Sequence, residues 1–171
     1  MTKSGARERE ETPIEIESEK EQAMESSSIT QPTTPAEAAR SLFERIGRHE
    51  LDNAEQMWSP DAVDTFVAVG EFRGLDAIVG FFTELLAAFP DMEVETERIL
   101  SDGSWTTVQW HASGTFTGAP FLGIEATGRR FEGLRAVSVA EWDDQLRIRQ
   151  NTIYWDGADF ARQLGILPPT E

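Results

Sequence analysis

Apolar residues follow two different periods along this chain. Up to Pro90 most of them recur every three or four positions, as in amphipathic helices, and after Pro90 they alternate with polar residues, as in strands. The predicted helices span residues 35–47, 51–58, 75–89 and 157–164. The predicted strands span residues 63–69, 92–96, 105–117, 130–142 and 146–155.

Cap and turn residues define the ends of these segments. Thr34-Pro35-Ala36-Glu37 is a capping-box sequence with proline at the first helical position, and Pro90 ends the third helix. Turns at Ser101-Asp102-Gly103-Ser104 and at Asp143-Asp144 join the later strands into two hairpins. Helices followed by long antiparallel strands predict an α+β domain whose helices cover one face of a curved sheet and leave a concave cleft.

The N-terminal segment differs in composition from the rest of the chain. All sixteen aromatic residues fall at or after Phe43, and residues 1–33 are mostly charged or small and polar. Because such a segment cannot bury a core, we predict a disordered acidic extension over residues 1–33 and a folded domain over residues 34–171.

Charge and composition narrow the classes of partner and cofactor. The formal net charge is −16, so neither nucleic acid nor a membrane surface is expected as a partner. The chain has no cysteine, no pair of histidines at metal-binding spacing and no phosphate-binding or dinucleotide motif, so no metal or cofactor is expected. It has no apolar run of about 20 residues and no signal-peptide pattern, which predicts a cytoplasmic location.

Four short motifs occur in a distinctive order. They are Phe89-Pro90-Asp91, Gly114-Thr115-Phe116-Thr117-Gly118, Gly123 with Ala126-Thr127-Gly128-Arg129, and Gln163-Leu164-Gly165. In this order and spacing the chain resembles the SnoaL-like polyketide cyclases of the nuclear-transport-factor-like superfamily. The resemblance implies a cone-shaped barrel formed by a strongly curved, mainly antiparallel sheet with helices on its concave face. It also implies a homodimer formed through the sheet and a pocket for apolar carbonyl compounds.

The acid–base residues of those cyclases are not kept here. The resemblance implies a pocket carboxylate that removes a proton next to a carbonyl group while hydrogen-bond donors hold the enolate. Counted forward from Asp143-Asp144, that carboxylate falls on Asn151, and counted back from Gln163-Leu164-Gly165 it falls on Ile153. Its partner histidine falls on about Val137. None of these three residues is a general base.

Three other side chains are candidate catalytic groups. The position of Asp64 resembles that of the general base in ketosteroid isomerases, and apolar neighbours would raise its pKa if it pointed inward; the alternative is an outward residue on an edge strand. His111 is either an acid–base group or a structural hydrogen-bond donor. Asp156 is either a base at the pocket rim or the N-cap of the last helix.

Large side chains supply candidate pocket walls. The predicted ligand-pocket residues are Trp58, Phe66, Trp110, Phe121, Asn151 and Tyr154. Phe121 lies in a glycine-bounded apolar loop suited to a pocket lid or to a dimer contact. We therefore predict a protein that acts on a small apolar carbonyl metabolite by cofactor-independent acid–base chemistry of the isomerase, cyclase or hydratase type. The alternative is a non-catalytic ligand-binding or dimerisation module.

Overall fold

The structure, a computed structural model, describes residues 31–169, so most of the predicted extension over residues 1–33 lies outside the described residues. The helices are α1 (Pro35–Gly47), α2 (Leu75–Ala88) and α3 (Gly157–Gln163), with a 3₁₀ turn at Ala54–Gln56. The strands are β1 (Trp58–Phe66), β2 (Gly70–Arg73), β3 (Glu93–Asp102), β4 (Trp105–Thr115), β5 (Arg130–Trp142) and β6 (Ile148–Trp155).

The six strands form one curved sheet in the order β2-β1-β6-β5-β4-β3. Every neighbouring pair is antiparallel except β1 and β6, which run parallel. The predicted α+β class and mainly antiparallel sheet are therefore confirmed. Helix α1 packs against β3 and β4, α2 against β1 and β2, and α3 against β5. None of the helices described over residues 31–169 has the length and apolarity needed to cross a lipid bilayer.

The region before α2 differs from its predicted secondary structure. The predicted helix over residues 51–58 is a single 3₁₀ turn, because Trp58 is fully buried and pairs with Ile148 of β6 at the start of β1. Strand pairing and burial outweigh the weak helical preference of this short segment. Strand β2 was not predicted, since its four residues are mostly exposed and lack an apolar pattern.

The start of α1 confirms the predicted cap and modifies its geometry. The Thr34 side chain accepts a hydrogen bond from the Glu37 backbone N–H at 3.3 Å. The Glu37 carboxylate accepts bonds from the backbone N–H and the hydroxyl of Thr33, each at 2.8 Å. The reciprocal bond of the box is thus made one residue before the N-cap, and it still satisfies a free backbone donor.

The loop after β4 is attached to the C-terminal end of α2. The backbone N–H groups of Gly118 and Ala119 donate to the carbonyl oxygens of Ala88 and Ala87, each at 3.0 Å. A Cβ atom at position 118 would lie 1.8 Å from the Ala87 oxygen, so only glycine allows this approach. The attachment fixes the base of the loop that carries Phe121.

Candidate active site

A cavity lies between the concave face of the sheet and the helices. The centre of a water molecule can occupy about 100 Å³ of it. All of its empty space, including the open mouth, amounts to about 850 Å³. The side chains that line it from the helices are aromatic or aliphatic. They include Leu42, Phe43, Ile46, Phe81, Phe82 and Phe160.

Few polar groups interrupt this apolar wall. Apart from the indole N–H groups of its tryptophans, the polar side chains among the described lining residues are Asp64, Ser138 and Asn151. Asp64 is the one ionisable side chain among them, and no arginine, lysine or histidine lines the cavity within residues 31–169. A charge on Asp64 therefore has no counter-ion in the cavity wall.

Strand β1 directs Asp64 into this cavity. Ala62, Asp64 and Phe66 are buried, whereas Val63 and Thr65 between them are only partly buried, as expected for alternating faces of a strand. Asp64 is 0 % exposed, and neither carboxylate oxygen has a hydrogen-bond partner of normal geometry within residues 31–169.

Burial raises the pKa of Asp64 to about 7, because an ionised carboxylate loses its hydration there. Hydrogen bonding by the Asn151 and Trp58 side chains favours the ionised carboxylate and lowers this pKa, but its effect is smaller than that of desolvation. Close to neutral pH both protonation states of Asp64 are therefore populated.

Asn151 and Trp58 bring further polar atoms next to Asp64. Asn151 on β6 is the pairing partner of Asp64 on β1. The Asn151 Oδ1 atom and the Trp58 Nε1 atom are buried and have no hydrogen-bond partner of normal geometry in the described part of the chain. Buried polar groups in native proteins are nearly always paired, so these atoms are available to a molecule in the cavity.

Five of the predicted ligand-pocket residues line the cavity. These are Trp58, Phe66, Trp110, Phe121 and Asn151. The rings of two of them pack against aromatic side chains of the helices. The ring centroids of Phe66 and Phe81 are 4.4 Å apart, and those of Trp110 and Phe43 are 5.7 Å apart.

The structure places the other three predicted site residues outside the cavity. His111 is on the opposite face of β4 from Trp110, where its ring nitrogens lie 3.4 Å and 3.3 Å from carboxylate oxygens of Glu95 and Glu97. Asp156 is the exposed N-cap of α3, and its carboxylate accepts a hydrogen bond from the Asp159 N–H at 2.9 Å. Neither residue is a candidate catalytic group in this cavity.

The prediction for Tyr154 was also wrong, for a reason that strand geometry explains. Asn151 and Tyr154 are three positions apart on β6, and residues an odd number apart point to opposite faces. Asn151 faces the cavity, and Tyr154 is 53 % exposed. The same alternation places Ile153 and Trp155 in the cavity wall, where Trp155 was missed.

Of the polar cavity residues Asp64, Ser138 and Asn151, Ser138 is the one that the sequence prediction did not include. It is buried on β5 and accepts a hydrogen bond from Trp110 Nε1 at 2.9 Å. A serine in an otherwise apolar strand carries no distinctive sequence signal. Its spacing of two residues from both Ala136 and Ala140, however, places its side chain on the inward face.

This fold and this cavity define an α+β protein with a pocket for a small molecule. The family model of the SnoaL-like polyketide cyclases matches residues 36–164, and the chain belongs to this family. No curated protein sequence gives a significant match.

Solved structures share the fold at low sequence identity. AclR from Streptomyces galilaeus, a candidate hydroxylase, is similar with a TM-score of 0.68 and 21% identity over 80% of this chain and 84% of that chain. IdmH from Streptomyces antibioticus, a candidate polyketide cyclase, has a TM-score of 0.65 and 24% identity over 77% of this chain and 99% of that chain. A Catenulispora acidiphila protein with a ketosteroid isomerase-like fold has a TM-score of 0.64 and 16% identity over 80% of this chain and 100% of that chain. At these identities the likeness concerns the fold alone.

Proposed function

We propose that this protein is a cofactor-independent enzyme in which Asp64 removes a proton next to a carbonyl group of an apolar metabolite. The observation that carries the proposal is the fully buried Asp64 carboxylate, which faces an apolar cavity without a counter-ion or a hydrogen-bond partner of normal geometry among residues 31–169. Leaving a carboxylate in such a place lowers stability, so a use for it in the reaction explains its presence.

The raised pKa of Asp64 favours this role. A general base is most effective when its pKa lies near the working pH, because it is then both ionised in part and basic enough to take a proton. Burial brings the pKa of Asp64 to about 7, whereas an aspartate in water has a pKa far below neutrality.

The chemical step needs only groups that the cavity supplies. A C–H bond next to the substrate carbonyl breaks, its proton moves to a carboxylate oxygen of Asp64, and its electron pair forms an enolate with the charge on the carbonyl oxygen. The Trp58 indole N–H and the Asn151 amide lie beside Asp64, where their hydrogen bonding lowers its pKa, and once Asp64 is protonated they are the adjacent donors for that oxygen. Where a C=C bond is conjugated with the enolate, return of the proton from Asp64 to the far carbon shifts the double bond and gives isomerisation. Attack of the enolate carbon on a second carbonyl of the same molecule gives cyclisation, and the new alkoxide takes the proton back from Asp64.

A second candidate function is a binding module without chemistry. It is favoured by the residues at the positions where the family resemblance places acid and base, which are Asn151 and Val137. An amide and an aliphatic side chain do not transfer protons. In this case Asp64 would act only as a hydrogen-bonding group for a bound metabolite.

Hydrogen–deuterium exchange of a simple ketone separates these two functions. The bicyclic ketone 2-tetralone is uncharged and apolar, and its exchange at the carbon between the ring and the carbonyl is followed by proton NMR in D₂O. We expect the wild-type protein to accelerate exchange and Asp64→Asn to lose about 10²–10⁴-fold of that acceleration. The matched control is Asp156→Asn, which makes the same carboxylate-to-amide change at an exposed cap and retains the wild-type rate.

The possible outcomes are distinct. An unchanged rate in Asp64→Asn, or no acceleration by the wild-type protein, overturns the proposed base. Binding of the ketone without exchange supports the binding module.

A further inference from the structure

We infer that Ser138 and Trp155 form a second polar contact point in the cavity. The ligand is then a mostly apolar compound without an anionic group, and it has a hydrogen-bond acceptor remote from its reacting carbonyl. The assignment of the reacting end to Asp64 rests on the proposed function, whereas the second contact point rests on the observations that follow.

The hydroxyl group of Ser138 has an unused hydrogen. Ser138 is buried, lines the cavity, and accepts a hydrogen bond from Trp110 Nε1 at 2.9 Å. A hydroxyl group that accepts in this way still has one hydrogen to donate. Within residues 31–169 no hydrogen bond has the Ser138 hydroxyl as donor.

The indole N–H of Trp155 is a second unused donor. Its Nε1 atom is buried and has no hydrogen-bond partner in the described part of the chain, and the residue lines the cavity. The Phe160 ring packs edge-on against the indole with a centroid distance of 5.1 Å. An unpaired buried donor is unfavourable, and an acceptor on a bound molecule would satisfy it.

Strand register places these donors together and away from Asp64. Ser138 pairs with Ile153, so its diagonal neighbours on β6 are Asn151 on one side and Trp155 on the other. Asp64 lies beyond Asn151, one strand further along the sheet. With strands about 4.8 Å apart and about 3.3 Å per residue, the Cα atoms of Asp64 and Ser138 are roughly 12 Å apart. The two acceptors of a fitting ligand are therefore separated by less than this distance.

The charge of the cavity wall restricts the ligand further. No cationic side chain lines the cavity within residues 31–169, and Asp64 becomes anionic near neutral pH. A carboxylate or phosphate on the ligand would be buried without a partner beside a like charge. The ligand therefore carries no anionic group.

Two isosteric ketones test the second contact point. The compounds 6-acetyl-2-tetralone and 6-isopropenyl-2-tetralone differ only by the exchange of a carbonyl oxygen for a CH₂ group at the end remote from the ring ketone. Their dissociation constants are measured by calorimetry for each protein. We expect the wild-type protein to prefer the acetyl compound, and we expect Ser138→Ala and Trp155→Phe each to reduce that preference by about threefold to tenfold.

Two controls separate ligand contact from structural support. Ser138→Thr keeps the hydroxyl group and retains the preference. Trp142→Phe removes an indole N–H outside this cavity, where it donates to Thr106 at 2.8 Å, so this variant also retains the preference. A loss in Trp142→Phe equal to that in Trp155→Phe would mean that the tryptophans act only by supporting the fold, and this overturns the inference.

Failure of this inference and failure of the proposed function give different results. If Ser138→Ala and Trp155→Phe both keep the wild-type preference, or neither ketone binds, the second contact point is wrong, and the Asp64→Asn exchange assay with 2-tetralone still tests the base. If the preference depends on Ser138 while no deuterium exchange occurs, the contact point is supported and the role of Asp64 as a base is wrong.

Discussion

Asp64 and Asn151 lie opposite each other on the parallel strands β1 and β6, and both side chains are buried in the cavity wall. A carboxyl group and a primary amide have nearly the same shape but different chemistry. Asn151, one of the two positions where the family motifs place a base, carries the amide, and the adjacent strand carries the carboxylate of Asp64. The cavity therefore has a carboxylate beside that position, supplied by a different strand.

The first prediction concerns the pH dependence of proton exchange. Only ionised Asp64 accepts a proton, and burial raises its pKa to about 7. The exchange rate of 2-tetralone should therefore rise with pH and level off above about pH 7. Trp58 lowers this pKa, so Trp58→Phe should move the rise to higher pH. A pH–rate profile for both proteins checks this. A protein-dependent rate that stays flat from about pH 5 to pH 9 contradicts it.

The second prediction concerns the stability of Asp64→Asn. Since the pKa of Asp64 rises from 3.8 to about 7 on folding, the folded state binds more protons between these values, and the free energy of unfolding falls with pH there. The contribution is present below pH 3.8 and is lost by about pH 7; it amounts to roughly 4 kcal/mol. The free energy of unfolding of Asp64→Asn, relative to that of the wild type, should therefore be higher at about pH 8 than at about pH 4.

Urea unfolding of both proteins at the two pH values measures this difference. Other carboxylates titrate in both proteins, so the comparison between variants isolates Asp64. A difference in unfolding free energy that does not change with pH contradicts the buried, shifted carboxylate.

The third prediction concerns a second carboxylate in the cavity. Asn151→Asp places a second acid beside Asp64 on the neighbouring strand, so ionisation of one carboxyl group opposes ionisation of the other. The pair should titrate in two separated steps, with the upper one above pH 7, and stability at about pH 8 should fall relative to Asn151→Ala. A pH–rate profile and urea unfolding check these results. Titration of the pair in a single step near pH 4 contradicts them.

The fourth prediction concerns the two candidate residues that lie outside the cavity. His111→Ala should leave exchange unchanged, because the ring contacts Glu95 and Glu97 on the outer face of the sheet. Asp156→Ala should also leave exchange unchanged but cost about 1 kcal/mol of stability, since the cap of α3 is lost. Exchange rates and unfolding free energies are compared with those of the wild type, and a large loss of exchange in either variant places it in the mechanism.

The fifth prediction concerns the glycine that attaches the loop carrying Phe121 to α2. Gly118→Ala should destabilise the protein by roughly 1–3 kcal/mol, because the added Cβ would meet the Ala87 oxygen at 1.8 Å. The matched control is Gly80→Ala on the exposed side of α2, where a Cβ meets nothing within 4 Å. That variant should gain about 0.5–1 kcal/mol. Thermal and urea unfolding distinguish the two, and equal effects contradict the close approach.

Sequence patterns predicted the later part of the fold better than the earlier part. Strand β5 has the predicted bounds and β4 and β6 differ from theirs by two residues, because long alternating runs and hairpin turns are local signals, whereas β3 extends six residues beyond its predicted end. Residues 51–58 were predicted as a helix, yet their structure depends on Trp58, which pairs with β6 some ninety residues later. No local pattern contains that pairing.

The sequence by itself determined the order of the longer helices and strands, the cap of α1, the family, and a set of aromatic residues suited to a cavity, since each depends on neighbouring residues or on motifs in order. Only the tertiary structure decided which candidate acids and bases share the cavity. Alternation assigns residues of a strand to two faces but does not say which face meets the helices. The irregular pairing of β1 with β6 between Trp58 and Val63 shows why a count along the chain does not give the answer. Three-dimensional packing turned Asp64 inward and His111 outward.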